Sequence, residues 1–272
     1  MMLPELSADE IKRYKRHTMI QEVGEEGQRK LKVSSALVVG VGGLGSPIAL
    51  YLAAAGVGRL GLIDGDNVDI SNLQRQVLYN TDQIGKSKAE QARQRLNALN
   101  PHIQIDAYAE TFNVQNALQL AGEYDVLVDG LDNLYTRYLL NDAAVLKDKP
   151  YVYGSIYRFE GQVSAFHARR GPCYRCLFST EPPPGALPNP SEVGVFGVLP
   201  GTVGTIQAAE ALKLLLGIGA PLIGRLLLYD ALEMSVEVVS LRKNNACPIC
   251  GANSDFHNLE DDPFLHLNQT EQ

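Results

Sequence analysis

All four cysteines of the chain stand in two pairs, Cys173-Tyr-Arg-Cys176 and Cys247-Pro-Ile-Cys250. Two C-x-x-C knuckles are the pattern of a tetrahedral zinc site with four thiolates, and a site with no open position is structural. Paired redox disulfides are the alternative. If all four thiols hold metal, none remains as a nucleophile. A second constellation lies upstream: Gly40, Gly42 and Gly45 in "GVGGLG" fit the G-x-G-x-x-G spacing, with Gly43 inside it. Asp64 follows about 20 residues later, where a dinucleotide site places the acid that holds a ribose. The glycines let the backbone approach a phosphate, and the helix that follows points free N–H groups at it. A strand-to-helix turn with no ligand is the alternative for the glycines alone.

A nicotinamide dinucleotide needs the turn and Asp64 but has no use for several further cations. This chain supplies Arg75, Lys86 and Lys88 after the acid, and "RYKRH" adds Arg13, Lys15 and Arg16 near the start. A triphosphate would use them. "DGLDN" provides Asp132, a hard oxygen ligand suited to Mg²⁺ on phosphates. Taken singly, each is equally a solvated surface charge; as a set they point to one anionic ligand. Other chemistries lack their signatures. There is no G-x-S-x-G elbow and no H-E-x-x-H, and His17, His102, His167, His257 and His266 are scattered. "NTDQIGKS" ends like a P-loop, but Asn80 occupies its first glycine position and no strand precedes it.

The elements that would position these residues follow from periodicity. "SSALVVGVGGLGSPIALYLAAAGVGRLGLIDGD" reads as strand, turn, helix and strand, a βαβ unit. "IGKSKAEQARQRLNALN" is helical, "HIQIDAY" and "YDVLVDG" are strands, "NLYTRYLLNDAAVLKDK" is an amphipathic helix and "PYVYGSI" a strand. The first half is therefore a doubly wound, mostly parallel sheet. Beyond residue 156 strand-like runs such as "YRFEGQVSAF" and "GRLLLYDALEMSVEVVSL" surround one helix, "GTVGTIQAAEALKLLLG", a pattern that antiparallel strands added to one side would satisfy. "STEPPPGALPNPSEVG" has too many prolines for a helix or central strand and reads as a crossing loop or a mobile one.

With 272 residues and 45% hydrophobic content the chain can bury a full core. A net charge of -7 and a pI near 5.3 give no broad field for a phosphodiester backbone, so nucleic acid is not an expected partner. The charged N-terminus lacks the apolar run of a secretory signal. "ALKLLLGIGAPLIGRLLLY" is broken by Lys213, Pro221 and Arg225, so no membrane span is expected and a cytoplasmic location is.

The ordered series "RYKRH", "GVGGLG", "DGDNVDISNLQRQ", "IGKSKAE", "NPHI", "DGLDN", "EGQVSAF", "PCYRC", "LLYDA" and "CPICG" resembles the E1-like family of ubiquitin-type activating enzymes, in particular the bacterial adenylyltransferases that activate sulfur carriers for molybdopterin, thiamine or related thiolation. The resemblance covers nearly the whole chain. It implies one E1-like domain over residues 1–251, with N-terminal helices to 32, a nucleotide-binding half over 33–156, a carrier-binding and zinc half over 157–251, and an acidic tail over 252–272. By resemblance Gly42 and its neighbours line ATP, Asp64 holds the ribose, Asn72, Arg75 and Lys88 contact the phosphates, and Asp132 binds Mg²⁺. Arg16 completes the site of a second subunit, which implies a homodimer. Cys173, Cys176, Cys247 and Cys250 match the zinc ligands. The implied partner is a small β-grasp sulfur carrier ending in Gly-Gly, whose terminal carboxylate attacks the α-phosphorus of ATP.

One departure bears on the later chemistry. Many members of the family carry a crossing-loop cysteine able to form a thioester or persulfide with the activated carrier, and that position is Pro190 here, followed by Ser191. A serine without an adjacent base is a much weaker nucleophile. The expectation is adenylation without a covalent carrier intermediate, with sulfur from a separate persulfide sulfurtransferase. No appended rhodanese domain is expected either, because the chain ends soon after the last zinc ligand. Two other readings compete: a NAD-dependent oxidoreductase, which leaves the cations and Asp132 without purpose, and a zinc-stabilised binding protein without catalysis.

Overall fold

A computed structural model of the chain describes residues 3–179 and 194–261. Three N-terminal helices, α1 (Ala8–Arg13), α2 (Lys15–Thr18) and α3 (Gly24–Val33), lead into β1 (Ser35–Val39). Then follow α4 (Gly45–Ala55), β2 (Arg59–Ile63), α5 (Lys88–Leu99), β3 (Gln104–Tyr108), α6 (Val114–Glu123), β4 (Val126–Asp129), α7 (Leu134–Leu146) and β5 (Tyr151–Tyr157). The antiparallel part comprises β6 (Glu160–Phe166), a short α8 (Tyr174–Leu177), the long α9 (Leu199–Leu216), β7 (Arg225–Asp230) and β8 (Ser235–Ser240).

The eight strands form one sheet in the order β3-β2-β1-β4-β5-β6-β7-β8. From β3 to β5 the neighbours run parallel, and from β5 to β8 antiparallel, as the change in sequence pattern at residue 156 anticipates. Alternation along each strand assigns its side chains to two cores. Ala36 and Val38 of β1 join Val126 and Val128 of β4 on the face covered by α3, α4, α5 and α9, while Leu37, Val39 and Leu127 face α6 and α7. Helices on both faces explain why the parallel strands read as continuous apolar runs. One element departs from expectation: α6 lies between β3 and β4 where no helix is anticipated. Its start is fixed by Asn113, whose side chain accepts the N–H groups of Gln115 and Asn116 at 2.9 and 3.3 Å, a capping signal that local periodicity does not carry.

The chain leaves β1 through Gly40, which takes φ +83°, a backbone state open to glycine at little cost. A methyl placed on either Gly45 or Gly130 would lie 2.0 Å from the Gly40 carbonyl oxygen. That contact is backbone against backbone, so no side-chain movement relieves it. Nearby, α9 crosses α4 at Gly204, where a methyl would meet Pro47 Cγ at 2.6 Å and the Leu44 carbonyl at 2.7 Å. Gly45→Ala is therefore expected to destabilise the protein by about 1–3 kcal/mol or more in denaturant unfolding. Gly201→Ala on α9, where nothing lies within 4 Å, serves as the control and is expected to hold or gain up to about 1 kcal/mol.

Candidate active site

The order β3-β2-β1-β4-β5 reverses direction between β1 and β4, and in such sheets ligands bind beyond the carboxyl ends of the strands at the reversal. A cavity of about 470 Å³ lies there. Gly40, Gly42, Gly43, Asp64, Arg75, Lys88 and Asp132, all drawn from the sequence reading, line it together.

Asp64 is held by the turn it faces. Its Oδ2 accepts the Val41 N–H at 2.9 Å and its Oδ1 the Asp66 N–H at 2.9 Å. Burial raises its pKa, opposed by the charge of Lys88 and by the two backbone hydrogen bonds. Lys88 opens α5 with 5% of its surface exposed, and its Nζ donates to Asp66 Oδ2 at 2.8 Å, whose own side chain is 74% exposed. Arg75 is half-buried on the turn after a 3₁₀ segment, Ile70–Asn72, with Nη1 donating to the Ser71 carbonyl at 3.2 Å. Asp132 is exposed just before the N-cap of α7, Asn133, and so remains available to a cation.

Six expected residues lie outside the cavity wall: Gly45, Asn72, Arg16 and three of the cations expected to meet a triphosphate, Arg13, Lys15 and Lys86. Gly45 is buried behind the turn, where its role is the close approach to Gly40. Asn72 shapes the segment that carries Arg75: its carbonyl accepts the N–H groups of Arg75 and Gln76 at 3.0 and 2.9 Å. Arg16 is exposed in a separate depression formed by Tyr14 and His17 with Tyr51 of α4 and Thr205 of α9. Conversely, the cavity recruits Asp66, Gln76, Arg137 and Arg158, which motif reading passes over. The acid pair in "DGD" was a visible signal for Asp66. Arg137 offered none, because a lone arginine in an amphipathic helix reads as a surface charge.

The four cysteines converge across the chain. Their sulfurs lie within 4.8 Å of one another, with Cys173 to Cys247 at 3.6 Å, Cys176 to Cys250 at 3.5 Å and Cys173 to Cys176 at 3.9 Å. No disulfide is formed at these spacings, since an S–S bond is about 2.05 Å. A tetrahedral zinc with bonds of about 2.3 Å would set its sulfurs about 3.8 Å apart, so the cluster fits such an ion. Hydrogen bonding with Cys173 lowers the Cys176 thiol to about 6 and also lowers Cys247, while the same contacts push Cys173 up. Within the first knuckle the Tyr174 N–H donates to Asn141 Oδ1 at 2.8 Å and Arg175 pairs with Asp142 at 3.0 and 3.1 Å, both on α7. The thiol cluster and the cavity thus share one helix. The segment 180–193, with Pro190 and Ser191, lies outside the described residues, as does the tail from 262.

Lys88→Ala tests the phosphate side. The freed Asp66 carboxylate is largely exposed and rehydrates, so thermal stability should change little. Affinity for a polyphosphate, read by calorimetric titration with ATP, should fall roughly tenfold to a hundredfold, the worth of a charge-assisted hydrogen bond.

Residues 14–249 match the ThiF family. The chain is 55% identical over 248 residues to the "Sulfur carrier protein adenylyltransferase" of Thermus thermophilus, covering 89% of this chain and 92% of that one. It is 49% identical to the "SAMP-activating enzyme E1" of Haloferax volcanii, covering 90% and 91%. It is also 50% identical to the maize "Adenylyltransferase and sulfurtransferase MOCS3-1", covering 92% of this chain but only 54% of that longer protein. Among solved structures, E. coli MccB with ATP shares the fold at a TM-score of 0.77 and 23% identity, over 90% of this chain and 75% of that one. A helical segment long and apolar enough to cross a membrane does not occur among the described residues. A cavity at the strand reversal and matches that run almost end to end lead to the same place: the chain belongs to the ThiF family and is an E1-like adenylyltransferase.

Proposed function

We propose that this chain adenylates the C-terminal glycine carboxylate of a small ubiquitin-like sulfur carrier with MgATP. The observation that carries the reading is the single cavity in which Asp64, anchored on the glycine turn, faces the same space as Arg75, Lys88 and Asp132. A carboxylate oxygen of the carrier bonds to the α-phosphorus as the bond from that phosphorus to the β-phosphate oxygen breaks. The products are acyl adenylate and pyrophosphate. The attacking carboxylate is already ionised at neutral pH, so no base is needed. The work of the protein is alignment and neutralisation of phosphate charge. Asp64 would hold the ribose, Arg75 and Lys88 the phosphates, and Asp132 an Mg²⁺ ion that offsets charge on the leaving group.

The cluster of Cys173, Cys176, Cys247 and Cys250 would hold zinc in a closed, structural site. It also bears on sulfur. The chain has four cysteines and all four are in the cluster, so no thiol of its own is left to take over the activated carrier. A separate persulfide donor would attack the acyl carbon and release AMP, and a second thiol would then reduce the resulting acyl disulfide to the thiocarboxylate, for molybdopterin, thiamine or a related thiolation. Arg16, exposed and outside the cavity of its own chain, would complete the cavity of a second subunit in a homodimer.

ATP–pyrophosphate exchange with Mg²⁺, run against a panel of small β-grasp proteins ending in Gly-Gly, is expected to proceed with at least one carrier and to stop when that carrier's terminal glycine is removed. Exchange with none would contradict the reading. Asp132→Ala and Arg16→Ala should each lose exchange while remaining folded, and mixing the two after subunit exchange should restore part of it, since one cavity of the mixed dimer then has both groups. No recovery in verified mixed dimers would remove the shared site.

A further inference from the structure

Arg137 is a charged group that the reaction as written leaves unused. It sits on α7 with 5% of its surface exposed, yet it lines the cavity. Its Nε donates to Asp129 Oδ2 at 2.8 Å, and its Nη2 donates to the carbonyls of Leu131 and Gly154 at 2.8 and 3.2 Å. Its Nη1 makes no hydrogen bond with the described residues. The Asp129 carboxylate is itself fully engaged, accepting the Leu131 N–H on Oδ1 at 2.8 Å and the Tyr151 hydroxyl on Oδ2 at 2.6 Å. Burial works against the charge of Arg137, but Asp129 and the surrounding tyrosine oxygens override it, and its pKa stays well above the usual arginine value. The ring of Tyr153, 5.2 Å from the guanidinium carbon, completes its seat. A rigid, permanently charged fork with one unused donor therefore stands in the wall of a ligand cavity.

Its place along the sheet edge indicates what that donor meets. Asp64 follows β2, the glycine turn follows β1, Asp132 and Arg137 lie beyond β4, and Ser155–Arg158 of the cavity wall come from β5 and its turn. The ribose and the glycine-bound phosphate are served from the β2 and β1 side. Arg137 is tied to the Gly154 carbonyl of β5, on the side left for the acyl group to approach. An anionic nucleophile moving toward a polyanion in a cavity of low dielectric is repelled unless a cation accompanies it.

We propose that Arg137 receives the terminal carboxylate of the carrier through Nη1 and directs it toward the α-phosphorus. This rests on the carrier-adenylation reading. Since only one nitrogen is unused, the contact engages one carboxylate oxygen and leaves the other free to attack.

The test is a chemical double-mutant cycle on the full-length protein. The carrier that supports exchange, and the same carrier with its terminal carboxylate converted to a primary amide, are titrated into protein loaded with a non-hydrolysable ATP analogue. With the wild type, amidation is expected to weaken binding about tenfold or more, as for loss of a charge-assisted hydrogen bond. With Arg137→Gln the same amidation should change binding less than about twofold. ATP affinity should hold, and kcat/KM for the carrier should fall. Arg137→Gln leaves Asp129 buried without its cation, so the double variant Asp129→Asn/Arg137→Gln, which removes both charges together, is measured alongside and should behave as the single variant does. An amidation penalty equal in wild type and variants would overturn the inference. So would loss of ATP affinity with the penalty unchanged, which would place Nη1 on a phosphate. Absence of exchange with every carrier in the wild type would remove the adenylation reading, and this inference with it.

Discussion

The carbonyl of Gly40 lies against the α-carbons of Gly45 and Gly130, with no room for a methyl group on either. This approach brings the ends of β1 and β4 and the start of α4 to one point. The backbone around it is then pinned from two sides: the Val41 N–H by Asp64 and the Val41 carbonyl by the Tyr79 hydroxyl at 2.8 Å. With the turn closed this tightly, Gly42 and Gly43 bring bare backbone to the cavity wall at the head of α4. The acid of β2, the cation at the head of α5 and the carboxylate before α7 each reach the same space because each follows a strand or opens a helix at that edge.

Much of this was legible in the chain. The glycine spacing, the acid beyond it and the two C-x-x-C knuckles are local patterns with fixed geometric meaning, and each falls where its pattern requires. The switch from parallel to antiparallel pairing was legible too, as the point where helices cease to separate strands. What local pattern does not carry is pairing at a distance. Arg137 becomes a cavity residue only because Asp129, at the end of a different element, draws it inward. Gly45 and Asn72 belong to the motifs but act on backbone geometry, a distinction that residue type alone does not make. The helix α6 was not anticipated although its signal is local, an Asn113 cap followed by Val114, Ala117, Leu118 and Ala121 at helical spacing.

The helix α7 links the two constellations. Its N-cap, Asn133, and Arg137 border the cavity, and Asn141 and Asp142 one to two turns later hold the first cysteine knuckle through the Tyr174 backbone and the Arg175 side chain. A four-thiolate metal site would thus secure a helix that also carries the wall of the cavity. Such an ion would hold distant parts of the chain in register.

Carrier adenylation requires a carboxylate oxygen to become bonded to the α-phosphorus. The most direct measurement is oxygen transfer. A carrier labelled with ¹⁸O in its terminal carboxylate is activated with unlabelled ATP, the product is hydrolysed at the acyl carbon, and the AMP is weighed by mass spectrometry. One ¹⁸O atom in the AMP is the predicted result. AMP without label, or release of ADP in its place, would contradict attack by the carrier at that phosphorus.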